Sequence, residues 1–342
     1  MSGIGQMMLS ARTRFKFAAV AHANSPYVSV YPWSDSGFGT KFSNPGTLPT
    51  GTGNAVTFSP SSYVVVVAHN PSPYVSAYEW TASGFGNKFS NPGTAVAGTA
   101  NGVTFSSAGD VVAVAHDTAP YVTAYAWSSS GFGAKFSNPS TLPTGTGKSV
   151  AFTPAVDAVA VAHAANPFIS TYAWSGSGFG AKFSNPVTPP SNPGNGVMFN
   201  PSGNVLAVAH GLSPFISAYA WSASGFGSKY SDPNIIPSGS CNGVAFSPSG
   251  AEVAVAVYSS PYIIAYHWSS GFGTKFSDPS TLPTGVGNGI AFSVAGDVLA
   301  VAHSTSPFVS AYAWSASGFG SKFSDPGTLP AGTGRGVAFG YF

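Results

Sequence analysis

The pattern of apolar and polar positions changes character four times within about 47 residues and then begins again. Read from Asn288, the segment to Phe292 is a short strand. Ser293-Val294-Ala295-Gly296 is a turn, written Ser247-Pro248-Ser249-Gly250 in a sister copy. Asp297 to His303 follows, apolar without interruption from Val298 to Ala302, which predicts a strand covered on both faces. Phe308 to Ser315 places Phe308, Ser310, Tyr312 and Trp314 on one face and small residues on the other; Gly318 to Ser324 is the fourth segment. These segments are named strands A, B, C and D. Large residues facing small ones suit sheets packed about 10 Å apart.

The copies are counted by tryptophan, at positions 33, 80, 127, 174, 221, 268 and 314. The step is 47 residues five times and then 46, because Trp268 is followed by Ser269-Ser270-Gly271, a C–D hairpin one residue short. Strand A begins at Asn54, Asn101, Lys148, Asn195, Asn242, Asn288 and Arg335; the last copy has no strand B after it. The first strand B, Phe17 to His22, has no good strand A before it. The C-terminal strand A is therefore expected to join the N-terminal strands B, C and D in one composite unit. That pairing predicts an all-β, seven-bladed propeller of four-stranded antiparallel blades, a closed ring without exposed sheet edges. Residues 14–342 form the propeller in this reading, and residues 1–13 an N-terminal arm.

Composition narrows the chemistry. Only 6% of the 342 residues are charged and the formal net charge is +2, against roughly 25% charged in typical soluble proteins. No bulk attraction to nucleic acid or acidic lipid is expected. Cys241 is the single cysteine, so no intrachain disulfide forms. Residues 1–13 lack the pattern of a secretory signal, and no stretch approaches the ~20 apolar residues of a membrane span. The expected location is a virion or the cytoplasm, without membrane insertion.

Phe246-Ser-Pro-Ser-Gly250, a following run of Ala and Val, and a strand C ending in Trp resemble the WD40-like, YVTN-type propeller repeat over residues 14–342. The resemblance implies a seven-bladed ring with D–A and B–C loops on one rim. The residue after each Trp is Ser or Thr, not Asp, and no Gly-His pair precedes strand A, so the likeness is one of fold and not of strict WD40 sequence.

Candidate chemistry is sparse. His22, His69, His116, His163, His210 and His303 occupy one repeated position, with Val257 in the seventh copy. Equivalent positions in neighbouring blades lie about 10 Å apart, whereas zinc holds its nitrogens at about 2 Å. The ring therefore cannot share a metal, and each histidine is expected to cap the B–C loop or a neighbouring aromatic hydroxyl. The repeated lysines 41, 88, 135, 182, 229, 275 and 322 fall on strand D, where they are expected to guard the edge. The acidic residues offer no glycosidase pair and no calcium cage, and no serine has a recognisable His–Asp arrangement. No catalytic, cofactor or metal site is expected, and the aromatics are expected to fill the spaces between blades.

The copies differ most in the loops of one rim. There the first residue of strand A is Asn at five positions (Asn54, Asn101, Asn195, Asn242, Asn288), but Lys148 and Arg335 at the other two, which makes this ring the candidate binding rim. The low charge leads to the expectation of a non-enzymatic structural or interaction module with protein partners in a larger assembly, such as an appendage or tail-associated part of a phage or virus particle. The alternative is a multivalent, lectin-like module binding glycans, and the third a hub binding peptides at the channel mouth.

Overall fold

The computed structural model describes residues 16–341, so the expected arm of residues 1–13 lies outside the described residues. Seven four-stranded antiparallel sheets form the ring. Blades are numbered here by their strand A. Blade 1 has Gly53–Phe58, Val64–His69, Val75–Thr81 and Gly84–Lys88 as strands A to D. Blades 2 to 6 begin at Ala100, Gly147, Gly194, Cys241 and Gly287. Blade 7 is composite: Gly334–Tyr341 pairs with Lys16–His22, which pairs with Val28–Ser34 and that strand with Gly37–Phe38. The closure expected from counting strands is therefore present.

Strand bounds follow the pattern to within a residue or two. In blade 6 they are Gly287–Phe292, Val298–His303, Val309–Ser315 and Gly318–Lys322. Every residue of the inner B strands in blades 1 to 6 is buried, which is why they carry no polar residue before the terminal histidine in most copies. The shortened hairpin lies in blade 5, whose strand D is Phe272–Lys275 and whose Gly271 stretches to φ 147 where the sister glycines sit at 95 to 108.

Adjacent blades are clasped by aromatic edges. Trp80 of blade 1 meets Phe42 of the composite blade at 5.1 Å and 87°, and Trp33 of the composite blade meets Phe323 of blade 6 at 5.1 Å and 81°. Trp127–Phe89, Trp174–Phe136, Trp221–Phe183, Trp268–Tyr230 and Trp314–Phe276 repeat the contact at the other five junctions. T-shaped pairs of this kind contribute about 0.5–1.5 kcal/mol each beyond area burial. The aromatics thus fill the inter-blade core, as the sequence leads one to expect. The composite blade is also held to blade 6 by Lys16–Asp297 at 3.2 Å and to blade 1 by Tyr341 N–H donating to Ser62 Oγ at 3.0 Å.

Candidate functional site

Strand A lines the central channel, and each copy carries a bulge at its first turn. In blade 1 Gly53 pairs with His69 and Ala55 with Ala68, so Asn54 is the extra residue. The same shift isolates Asn101, Lys148, Asn195, Asn242 and Asn288. In the composite blade His22 pairs with Gly334 and Ala21 with Gly336, leaving Arg335. All seven candidate rim residues are thus bulged residues. A bulge releases a residue from the ladder and re-aims its side chain, here at the channel mouth.

The five asparagines stitch the ring together. Asn54 Nδ2 donates to Ala100 O at 2.8 Å, Asn101 to Gly147 O at 2.9 Å, Asn195 to Cys241 O at 3.0 Å, Asn242 to Gly287 O at 2.8 Å and Asn288 to Gly334 O at 2.8 Å. Each bond runs from one blade to the backbone of the next. The two cations interrupt this stitching. Lys148 Nζ instead donates to the Asn195 Oδ1 of blade 4 at 3.1 Å. Arg335 is exposed and has no hydrogen bond or ion pair from its side chain among the described residues. Blades 3 and 7 are separated by four steps one way and three the other, so the two cations stand across the mouth from each other.

Below the rim the strands crowd together. A methyl group at Gly102 would lie 2.9 Å from Lys148 O, and one at Gly336 3.0 Å from Ala55 Cα. The resulting channel of about 190 Å³ has an amide and small-residue lining. It widens at the rim into a cavity of about 430 Å³, to which Asn54, Asn101, Asn288, Arg335 and Tyr258 contribute. None of the residues lining either space is an Asp, a Glu or a His. Desolvation by burial pulls the Lys148 ammonium below the ordinary lysine range, since a half-buried charge loses hydration.

The histidines lie within the blades, away from this space. His22 Nε2 is 3.0 Å from Ser29 Oγ and its Nδ1 is 2.9 Å from Asn24 O, which fixes Nδ1 as the donor. The Ser or Thr partner recurs for His69, His116, His163, His210 and His303 at 2.9 to 3.0 Å. All six meet strand C, and His22 and His69 also reach the B–C loop, the latter with Nδ1 3.1 Å from Pro71 O, whereas the expected aromatic hydroxyls are bonded elsewhere: Tyr31, Tyr125, Tyr219, Tyr266 and Tyr312 donate to D–A loop carbonyls. Among the described residues no group of three or more His, Cys, Asp or Glu is placed to hold a metal. The strand D lysines fold back onto their own Asn-Pro or Asp-Pro turn, as Lys41 does on Asn44 and Lys322 on Asp325. They brace the turn that leads toward the next strand A.

The B–C and D–A loops share the rim, joined by Thr52 Oγ1 to Ala23 O at 3.1 Å and Thr333 Oγ1 to Ser304 O at 3.2 Å. Tyr258 belongs to one of these B–C loops and is absent from the ring of candidates that the sequence pattern picks out. A signal for it exists: its sister positions are Ala23, Asn70, Asp117, Ala164, Gly211 and Ser304, none of them aromatic.

No protein-family model matches this chain, and no curated protein does. Solved structures do. A functionally unknown protein from Desulfotomaculum acetoxidans has TM-score 0.70 at 12% identity, covering 94% of this chain and 98% of its own. A putative 6-phosphogluconolactonase from Bacteroides uniformis has TM-score 0.69 at 14% identity, covering 96% and 99%. The periplasmic gluconolactonase of Pseudomonas aeruginosa has TM-score 0.68 at 14% identity, covering 95% and 99%. At these identities the likeness shows the propeller fold and no closer kinship.

Two of these neighbours carry lactonase names, and that overturns both the expectation of a non-enzymatic assembly module and the expectation that the chain is not an enzyme. The phage or virus particle, lectin-like and peptide-hub readings fall with it. The physical reason lies in the kind of chemistry a sequence motif can mark. Paired carboxylates, calcium cages and Ser–His–Asp arrangements each need several residues at set spacings, but ring-opening of an activated ester asks first for a cation where its oxyanion develops. A cation at a channel mouth leaves no mark on any of those motifs.

Proposed function

We propose that the protein is a hydrolase that opens a sugar lactone in the mouth of its central channel. The observation that carries this reading is Arg335, an unpaired guanidinium facing a ring of amides, with Lys148 across from it and no acidic residue lining the space. Water adds to the lactone carbonyl carbon, the ring C–O bond breaks, the ring oxygen takes up a proton, and the product is the open hydroxy acid. Negative charge builds on the carbonyl oxygen in the transition state and ends on the product carboxylate. Arg335 meets that oxygen, and the Asn Oδ1 atoms accept from the substrate hydroxyls. Kinship with the WD40-like, YVTN-type repeats belongs to the same proposal, resting on the Phe246-to-Gly250 turn and the Trp that ends each strand C.

The test is the opening of δ-gluconolactone and its 6-phosphate by the purified protein, followed with a pH indicator. The rate exceeds the uncatalysed one, and Arg335→Gln lowers kcat/KM by about a hundredfold, as loss of one oxyanion donor does. No acceleration, or an unchanged Arg335→Gln variant, refutes the reading.

A further inference from the structure

A departure in one copy is informative when departures from different copies meet in space. Blade 5 departs at Tyr258, the one aromatic at that loop position, and blade 7 at Arg335, the one arginine at the start of strand A. Both line the same cavity of about 430 Å³, with Asn288 of the intervening blade 6 between them. Drift without a ligand scatters such changes around the ring and has no reason to bring them to one side of one mouth.

Tyr258 has the properties of a platform. Its side chain is 61% exposed, although its loop is held on both sides: Tyr258 N–H donates to Ser240 O at 2.8 Å and Tyr262 N–H to Ser259 O at 2.9 Å. An exposed ring on a fixed backbone offers a flat apolar face at small entropic cost. Asn288 is anchored through Nδ2 to Gly334 O, so its orientation is set while its Oδ1 remains an acceptor without a partner among the described residues. Arg335 supplies the positive charge.

We propose that Tyr258 and Arg335 form a one-sided subsite that selects cyclic over open-chain ligands, the ring face lying on Tyr258 and the carbonyl oxygen on Arg335. Resting on the lactone reading, this deepens it: Tyr258 is the residue by which the closed substrate is held and the opened product let go. A hydroxy acid that has lost its ring loses the flat face that the tyrosine covers, while its charge still meets Arg335.

The experiment compares glucono-1,5-lactam with gluconamide, an uncharged ring and an uncharged open chain that both carry the C1 carbonyl, by calorimetric titration of the full chain. The wild type binds the ring more tightly by about two- to tenfold, the worth of one aromatic contact. Tyr258→Ala abolishes that preference, Tyr258→Phe retains it, and Arg335→Gln weakens both ligands together. The inference is overturned if the wild type binds neither ligand, if it shows no preference, or if Tyr258→Ala leaves the preference intact. Lactone turnover is a separate readout: a ring preference that depends on Tyr258, in a protein that opens no lactone, removes the proposed reaction and leaves this subsite standing.

Discussion

His163 lies fully buried inside a blade, its Nε2 3.0 Å from Ser170 Oγ. Burial pulls its pKa from 6.5 down to about 4, and two backbone hydrogen bonds offset only part of that. His22, His69, His116, His210 and His303 are held at about 4 for the same leading reason. In the unfolded chain these groups titrate near 6.5, so acid favours unfolding. The sign is therefore fixed: their contribution is complete above pH 6.5 and is lost as pH falls toward 4. Thermal melting in a pH series is expected to show a plateau above pH 6.5 and a steep decline below it. His163→Val, the substitution that blade 5 already carries at Val257, flattens part of that decline. A melting temperature constant from pH 6.5 to 4 contradicts this account of the histidines.

At the scale of the strand, the inner edge of each blade decides the width of the channel. A methyl group at Gly289 would lie 2.7 Å from Arg335 O and 2.9 Å from Gly336 Cα, backbone atoms that cannot step aside. At Gly243 the nearest atom is Asn288 O at 3.4 Å, an ordinary contact. Gly289→Ala is thus expected to cost about 1–3 kcal/mol of stability, read as a lower melting temperature, while Gly243→Ala leaves melting nearly unchanged. Equal melting of the two variants counts against the crowded inner ring. Much of this element level is legible in the sequence. The Trp phase places the strands, the missing residue before Gly271 falls in a C–D hairpin, and the lone C-terminal strand A implies closure. The bulge that frees Asn54 and its sisters is not legible, because it depends on how strand A registers against strand B and leaves no residue type of its own. The platform at Tyr258 escapes a reading of the sequence for another reason: it is one substitution among many in variable loops, and the meeting of blades 5 and 7 at one mouth exists only once the ring is assembled.

For the whole molecule, closure converts a string of repeats into a site with a direction. Each asparagine ties its blade to the backbone of the next, Lys148 reaches the next blade through the Asn195 side chain, and Arg335 makes no such bond among the described residues. Arg335 is available to the channel only because the final strand, Gly334–Tyr341, enters the sheet begun by Lys16–His22. Fold and candidate site thus share one piece of chain. Charge scarcity, which by composition alone suggests a surface covered by neighbours, has a second consequence here: with 12 basic and 10 acidic residues in the whole chain, a cation left open at the channel mouth stands out in the local field. The most direct measurement is a crystal structure of the protein soaked with 6-phosphogluconate, the hydroxy acid that opening of the phosphorylated lactone yields. Density for the ligand in the upper mouth, with an anionic oxygen on the Arg335 guanidinium, is the predicted result. A ligand bound elsewhere on the ring, or an empty mouth at saturating concentration, contradicts it.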